Sequence, residues 1–264
     1  MYELNTLNNY PHTKHYFMTE SFYTSIATHY QHIFPLNSQQ IDFLRLVLPY
    51  NGARVLDVGC ATGDLAFALA HFGFPIWGID FDDQMIRIAQ NTKSEEVMFP
   101  VFGKLDMRFI DQQYPESFFD TIICFGNTLV HLLTDEDIQA FINAAFKTLA
   151  PEGKLTIQIL NYKYILNKPI KSLPIIENEH VRFERNYEFT NDSDVIDFNT
   201  TLTLKPSGQE IKNTVKLYAI TQSKLQEMLK DAGFGAFEFY GSFAGEPLQE
   251  NSLPLIITCQ KAKE

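Results

Sequence analysis

Only three cysteines occur in 264 residues, at positions 60, 124 and 259, and none stands in C-x-x-C spacing with another. That excludes a disulfide framework and a cysteine-based metal cluster, and it fits a reducing compartment. The seven histidines form no H-E-x-x-H pair or comparable ligand set, so no metal is expected. Nowhere do five basic residues run together, and the formal net charge is -11. A phosphate backbone would meet net repulsion, so nucleic acid is not an expected partner. The start, Met-Tyr-Glu-Leu-Asn, lacks a basic region followed by an apolar stretch, and no apolar run reaches the roughly 18 residues of a membrane span. Neither secretion nor membrane insertion is expected, and the anticipated location is the cytoplasm. Internal repeats and low-complexity segments are also missing. What is present, 45% hydrophobic and 20% charged residues, is the balance of a globular enzyme with a substantial core.

Hydrophobic periodicity supplies the architecture. Phe22, Ile26, Tyr30, Ile33 and Phe34 follow a polar lead at helical spacing. Ser38 is placed to cap a second helix carrying Ile41, Leu44 and Leu48, which stops before Pro49. Strands are then expected near 53–58, 75–80, 98–102, 119–125 and 154–160, separated by helices near 64–72, from Asp82 or Asp83, and from a Thr134/Asp137 capping box to Leu149. Five strand-helix alternations imply a parallel sheet with helices on both faces and a ligand at the carboxyl ends of its strands. From 161 the rhythm changes. Segments 181–190, 194–204 and 210–220 are strand-like with no helix between them, and Asn191-Asp-Ser193 and Pro206-Ser-Gly208 supply hairpin turns. A helix at 221–232 and strands near 236–243 and 254–260 complete a Rossmann-like, mostly parallel seven-stranded sheet. The expected organisation is an N-terminal helical lid over 1–50, a core formed by 51–160 and 221–264, and an antiparallel β insert over 161–220 capping the active site.

The chemistry begins at Val55-Leu-Asp-Val-Gly-Cys-Ala-Thr-Gly-Asp64, an apolar strand that runs through a small-residue turn into a helix. Gly59 and Gly63 can take positive φ, Ala61 adds only a methyl, and the free N–H groups of the helix start face whatever lies above the strand end. A dinucleotide fingerprint laid on Gly59 requires glycines where the chain has Ala61 and Asp64. Asp64 would repel a pyrophosphate, and Asp57 adds negative charge that suits a cationic amino-acid ligand. The pattern favours an adenosine ligand bearing a sulfonium and an amino-acid end.

The sequence Asp57-Val-Gly59-Cys-Ala61-Thr-Gly63 resembles the first motif, D/E-x-G-x-G-x-G, of the class I S-adenosylmethionine-dependent methyltransferases, with Ala61 at the middle glycine. The resemblance implies S-adenosylmethionine as cofactor. Asp80, 23 residues after Asp57, ends the second strand and is expected to accept from the ribose hydroxyls. Phe81 is expected over the adenine face. Met85 can pack on adenosine as well, although a helix-interior core position is the favoured reading. Asp106-Met107-Arg108 resembles the D-M-R element that many small-molecule methyltransferases set beside adenine, with Asp106 accepting from the amino group and the Met107 N–H donating to a ring nitrogen. Cys124, a small strand residue, is grouped with this set.

Phe119-Asp120 through Gly126-Asn127-Thr128-Leu-Val-His131 resembles an element of the glycine and sarcosine N-methyltransferase branch, as does Asn161-Tyr162-x-Tyr164-Ile165-Leu166. The likeness spans about residues 20–166. The glycine enzymes place an arginine for the substrate carboxylate directly before that Asn-Tyr pair, where this chain has Leu160. Glycine is therefore not expected as acceptor unless Arg182, Arg185 or another residue of the insert takes over. Asn127, His131, Tyr23 and Tyr30 are the candidate acceptor-side residues: an amide at the strand end, a base near neutral pH, and two hydroxyls on one helix face. The expected reaction is in-line methyl transfer to a small molecule, with nitrogen ahead of oxygen. Two other readings stay open, a non-catalytic adenosyl-ligand sensor or partner subunit, and an NAD-dependent oxidoreductase opposed by Asp64. Oligomeric state is not legible.

Overall fold

The computed structural model of the protein describes residues 22–189 and 194–263. Five strands, β1 (Val55–Val58), β2 (Ile76–Asp80), β3 (Val101–Lys104), β4 (Phe119–Cys124) and β5 (Leu149–Leu160), pair in parallel in the order β5-β4-β1-β2-β3. Every residue of β1 and β4 is buried, as a sheet covered on both faces requires. Strand order reverses at β1, whose neighbours are β2 and β4. Such a switch point leaves a crevice outside the carboxyl ends. Here it brings the turn after β1 beside the turn after β4.

Four strands of the insert form a separate antiparallel sheet: β6 (Ile176–Glu177), β7 (Val181–Glu188), β8 (Val195–Leu204) and β9 (Gln209–Tyr218), in that order. The short β6 was not expected. The turn at Asn191-Asp-Ser193 lies outside the described residues. The second turn is as expected, with Gly208 at φ 69 and its N–H donating to Leu204 O over 2.8 Å. Finally β10 (Phe234–Tyr240) and β11 (Pro254–Lys261) add antiparallel to the edge of β5, which completes seven strands.

Three boundaries differ from the sequence expectation for physical reasons. β3 begins at Val101, directly after Pro100, which has no N–H to give a ladder. β5 begins at Leu149 because the Pro151-Glu152-Gly153 turn is absorbed as an irregularity within the strand, Glu152 taking φ 60. The first segment is not one continuous helix: residues 22–26 and Tyr30–Ile33 are helical, joined by a 3-10 turn at Ala27–His29.

Five longer helices pack on the sheet or its ends: α1 (Ser38–Val47), α2 (Asp64–His71), α3 (Asp83–Thr92), α4 (Asp135–Thr148) and α5 (Gln222–Asp231). α1 is capped by Asn37, one residue before the expected Ser38; its side chain accepts from Gln39 N, and Gln40 completes a capping box. Asp82 caps α3 by accepting from Met85 N over 2.9 Å, and Thr134 caps α4 by accepting from Asp137 N over 3.1 Å. No helix among the described residues is long and apolar enough to cross a membrane.

The N-terminal segment and the insert meet over the carboxyl ends of the parallel strands. Asn213 Nδ2 donates to Ser25 Oγ over 3.0 Å, Asn178 Nδ2 donates to His32 O over 2.8 Å, and the Phe34 and Phe183 rings meet edge-on at 5.8 Å. Phe22, Ile26 and Ile33 share one apolar cluster with Phe183, Tyr187 and Leu217 of the insert.

Candidate active site

The turn after β1 is pinned to the end of β2, because Gly59 and Cys60 both donate their N–H to Ile79 O, over 2.8 and 3.0 Å. Gly59 has φ 75, and a Cβ there would lie 2.5 Å from both Oγ1 and Cγ2 of Thr128 in the turn after β4. Only glycine lets the two turns close on each other. Ala61 also takes a left-handed conformation, φ 47, in spite of its Cβ. Its N–H donates to Asp80 Oδ2 over 2.9 Å, a charge-assisted bond that offsets the backbone strain. Gly63, φ 85, precedes α2 and packs against Phe102; it shapes the turn without lining the cavity.

Asp57 and Asp80 are the electrostatic centre. Asp80 accepts from Ala61 N–H through one oxygen and from Asp82 N–H, over 2.9 Å, through the other. Burial nevertheless pushes its carboxyl up to about 6. Burial and the neighbouring Asp80 charge push Asp57 up to about 7. Two neighbouring carboxylates withdrawn from water, Asp80 at the cleft and Asp57 at the adjoining cavity, form a site that a cation and hydroxyl donors would satisfy. That is the donor set of an adenosyl ligand with a free amino-acid end. The residues therefore fit the implied cofactor.

Val58, Ile79, Phe81, Leu105 and Met107 line the cleft, a mostly apolar slot that also carries the carboxylates of Asp80, Asp82 and Asp106. Asp106 is tied to its own loop: it accepts from Arg108 N over 3.0 Å and from the Arg108 guanidinium, which also reaches Asp137. This ion-paired corner holds Met107 at the cleft wall. Met85 and Cys124 do not reach the cavity. Met85 is buried against Ala27 and Ala61 in the helix interior, and Cys124 lies inside β4 with its thiol pushed upward by burial.

On the other side the cleft opens into a cavity of about 460 Å³ beneath the antiparallel sheet. Tyr23, Tyr30 and His131 line both spaces. Tyr23 Oη and His131 Nε2 are 2.8 Å apart, their rings edge-on at 5.4 Å. Burial, helped by Tyr30 and Asp80, holds the Tyr23 hydroxyl well above the ordinary tyrosine range, so it stays protonated. Tyr30 is raised in the same way by burial and by Asp80 and Asp57.

Asn127 sits at the end of β4 in a left-handed conformation, φ 65. Its Oδ1 accepts from Leu160 N over 3.0 Å, and its Nδ2 donates to Tyr162 Oη over 3.0 Å. The amide thus braces the turn after β4 against the end of β5 and keeps one Nδ2 proton toward the cavity it lines. Gln158 supports the same turn by accepting from Gly126 N over 2.8 Å. Sequence reasoning overlooked Tyr187, Phe183 and Gln158. The signal on β7 was readable: Phe183, Arg185 and Tyr187 alternate onto one face, and all three line the cavity.

Residues 55–153 match the family described as a methyltransferase domain. The chain is 32% identical to glycine N-methyltransferase of Rattus norvegicus over 47% of this chain and 46% of that protein. It is 22% identical to the glycine/sarcosine N-methyltransferase of Aphanothece halophytica over 76% of this chain and 73% of that one. It therefore spans about half the length of the rat relative. Among solved structures, an S-adenosylmethionine-dependent methyltransferase from Clostridium acetobutylicum superposes with a TM-score of 0.75 at 15% identity, covering 91% of this chain and 99% of that one. The amino pentose methyltransferase CalS10 from Micromonospora echinaspora, solved with its cofactor bound, superposes at 0.62 with 17% identity, covering 90% and 96%.

Proposed function

We propose that the protein is a class I S-adenosylmethionine-dependent methyltransferase that methylates a small organic molecule at nitrogen. When bound, S-adenosylmethionine supplies a methyl group made electrophilic by the sulfonium. The residues that would hold it are Asp57 for its ammonium, Asp80 for its ribose hydroxyls, and Phe81, Asp106 and Met107 for its adenine, with Gly59 and Ala61 forming the floor.

The observation that carries the acceptor reading is the Tyr23 to His131 hydrogen bond at the junction of the two cavities. An amine must lose a proton to become a nucleophile, and ammonium groups titrate at about 10. A histidine, ordinarily near 6.5, can accept that proton with a modest uphill step, whereas an alcohol lies much further away. Tyr23 orients the imidazole through Nε2 and stays neutral while doing so. Asn127 presents its remaining amide proton to the acceptor, and Tyr30 closes the wall above the donor side. Holding the nitrogen in line with the methyl lowers the barrier by roughly 7–11 kcal/mol, so the site requires no covalent nucleophile. The names of the two N-methyltransferase relatives support nitrogen as the target atom.

The test incubates the purified chain with methyl-labelled S-adenosylmethionine and matched pairs of small amines and alcohols. Labelled N-methyl products are expected. Label appearing only on oxygen overturns the choice of atom; cofactor binding with no labelled product in any pair favours a ligand sensor instead.

A further inference from the structure

Two buried donors at the acceptor cavity, Arg185 Nε–H and the Tyr187 hydroxyl, make no hydrogen bond of ordinary geometry. Arg185 and Tyr187 project from the same face of β7, and both line the cavity. Arg185 Nη2 donates to Pro174 O over 2.6 Å, and its guanidinium carbon lies 5.8 Å from the Phe183 ring centre, so the head group is fixed. Its Nε is buried and has no hydrogen-bond partner. Tyr187 is 5% exposed; its hydroxyl is buried beside that of Tyr162 without a bond of ordinary geometry. Buried donors in folded proteins are almost always satisfied, so an unpaired pair in a cavity calls for an acceptor from a ligand.

Their setting limits what that acceptor is. Arg185 is the only lysine or arginine among the described residues lining the cavity, and the walls near it, Phe183, Phe198, Leu173 and Leu217, are apolar. In such surroundings a fixed guanidinium attracts one negative charge strongly, and a phenol O–H completes a two-point grip on a pair of oxygens. Leu160 at the end of β5 offers no charge, so the cation comes from the antiparallel sheet instead.

Resting on the methyl-transfer reading above, we propose that Arg185 and Tyr187 form a carboxylate-binding subsite, so that the acceptor is an amino acid in the broad sense: an amine joined through an apolar body to a carboxylate. The carboxylate is held by Arg185 Nε–H and Tyr187 O–H, and the amine is directed toward Asn127 and the Tyr23/His131 pair. Both residues are specificity determinants and take no part in bond making.

The experiment saturates the protein with S-adenosylhomocysteine and titrates matched aryl and alkyl probes by calorimetry: 3-phenylpropionate and its primary amide, hexanoate and hexanamide, and phenyl phosphate. The carboxylates are expected to bind at least about tenfold more tightly than their amides, the scale of a charge-assisted bond. Arg185→Gln should erase that preference, Tyr187→Phe should reduce it, and Arg185→Lys should restore part of it. S-adenosylhomocysteine affinity should stay the same in all three, which confirms that each variant folds. Equal binding of acids and amides, no binding of any acid, or a preference that survives Arg185→Gln overturns the subsite, and preference for phenyl phosphate overturns its assignment to a carboxylate. Acid binding without methyl transfer would leave the subsite standing and sink the catalytic reading alone.

Discussion

Tyr23 Oη and His131 Nε2 meet at 2.8 Å across 108 residues of chain, joining the N-terminal helical segment to the turn after β4. Neither residue lies on a strand of the main sheet. The pair exists only when that segment folds down over the switch point, so its proton-handling geometry is assembled by tertiary structure.

His131→Ala should lower kcat by about 10²-fold or more, the range for losing a general base. Tyr23→Phe keeps the ring and removes the orienting bond, so its loss should be smaller. Calorimetric affinity for S-adenosylhomocysteine should stay near wild type in both. A comparable fall in that affinity would assign the pair to donor binding.

Asp80→Asn keeps an oxygen acceptor and loses the charge, whereas Asp80→Ala removes the contacts to both Ala61 N–H and Asp82 N–H. Donor affinity should fall by about 1–3 kcal/mol for Asp80→Ala, with a lesser fall for Asp80→Asn. Titration of S-adenosylhomocysteine into each variant measures the two steps.

Asp57 carries a pH signature. Its folded-state carboxyl titrates at about 7 against an ordinary 3.8. The folded chain thus binds a proton more tightly than the unfolded chain between these values, and ligand-free stability contributed by this group is lost as pH rises through 7. Asp57→Asn removes the buried charge, so the thermal midpoint of the variant relative to wild type should rise between pH 5 and pH 8. The same variant should bind S-adenosylhomocysteine about tenfold more weakly at pH 8, because the ligand ammonium loses its partner. A midpoint difference that does not change with pH would refute the assignment.

Gly59→Ala should destabilise the chain, since its Cβ meets Thr128 at 2.5 Å and φ is 75. The backbone term alone is of order 1–3 kcal/mol. Pairing Gly59→Ala with Thr128→Gly removes the clash and leaves the strain. The double variant should therefore recover only part of the loss in a denaturant melt.

Much of the donor side was legible because it is local. The run from Val55 to Asp64 encodes strand, turn and helix within ten residues, and Asp80 closes the neighbouring strand; Gly59 and Ala61 line both spaces, Asp80 the cleft and Asp57 the larger cavity. Met85 was open to two readings because helical periodicity names a buried face without saying whether the neighbour is a ligand or another helix; here it is Ala27 of the N-terminal segment, as the core reading has it. Cys124 misled because the last residue of a buried strand can point into the core. The acceptor side was harder. Arg185 and Tyr187 reach the cavity only through the curl of a sheet whose paired residues lie up to 23 positions apart, as Val181 and Leu204 do, and alternation on β7 tells which residues share a face, not what that face covers.

The two side-chain hydrogen bonds donated by Asn178 and Asn213 fasten the helical segment to the antiparallel sheet, and that segment carries Tyr23 and Tyr30, which border the cleft and the larger cavity alike. The donor and acceptor of the proposed reaction would thus sit in adjoining rooms under a common ceiling. On the methyl-transfer proposal, a loosening of that ceiling that let spent donor escape would also unseal the neighbouring room.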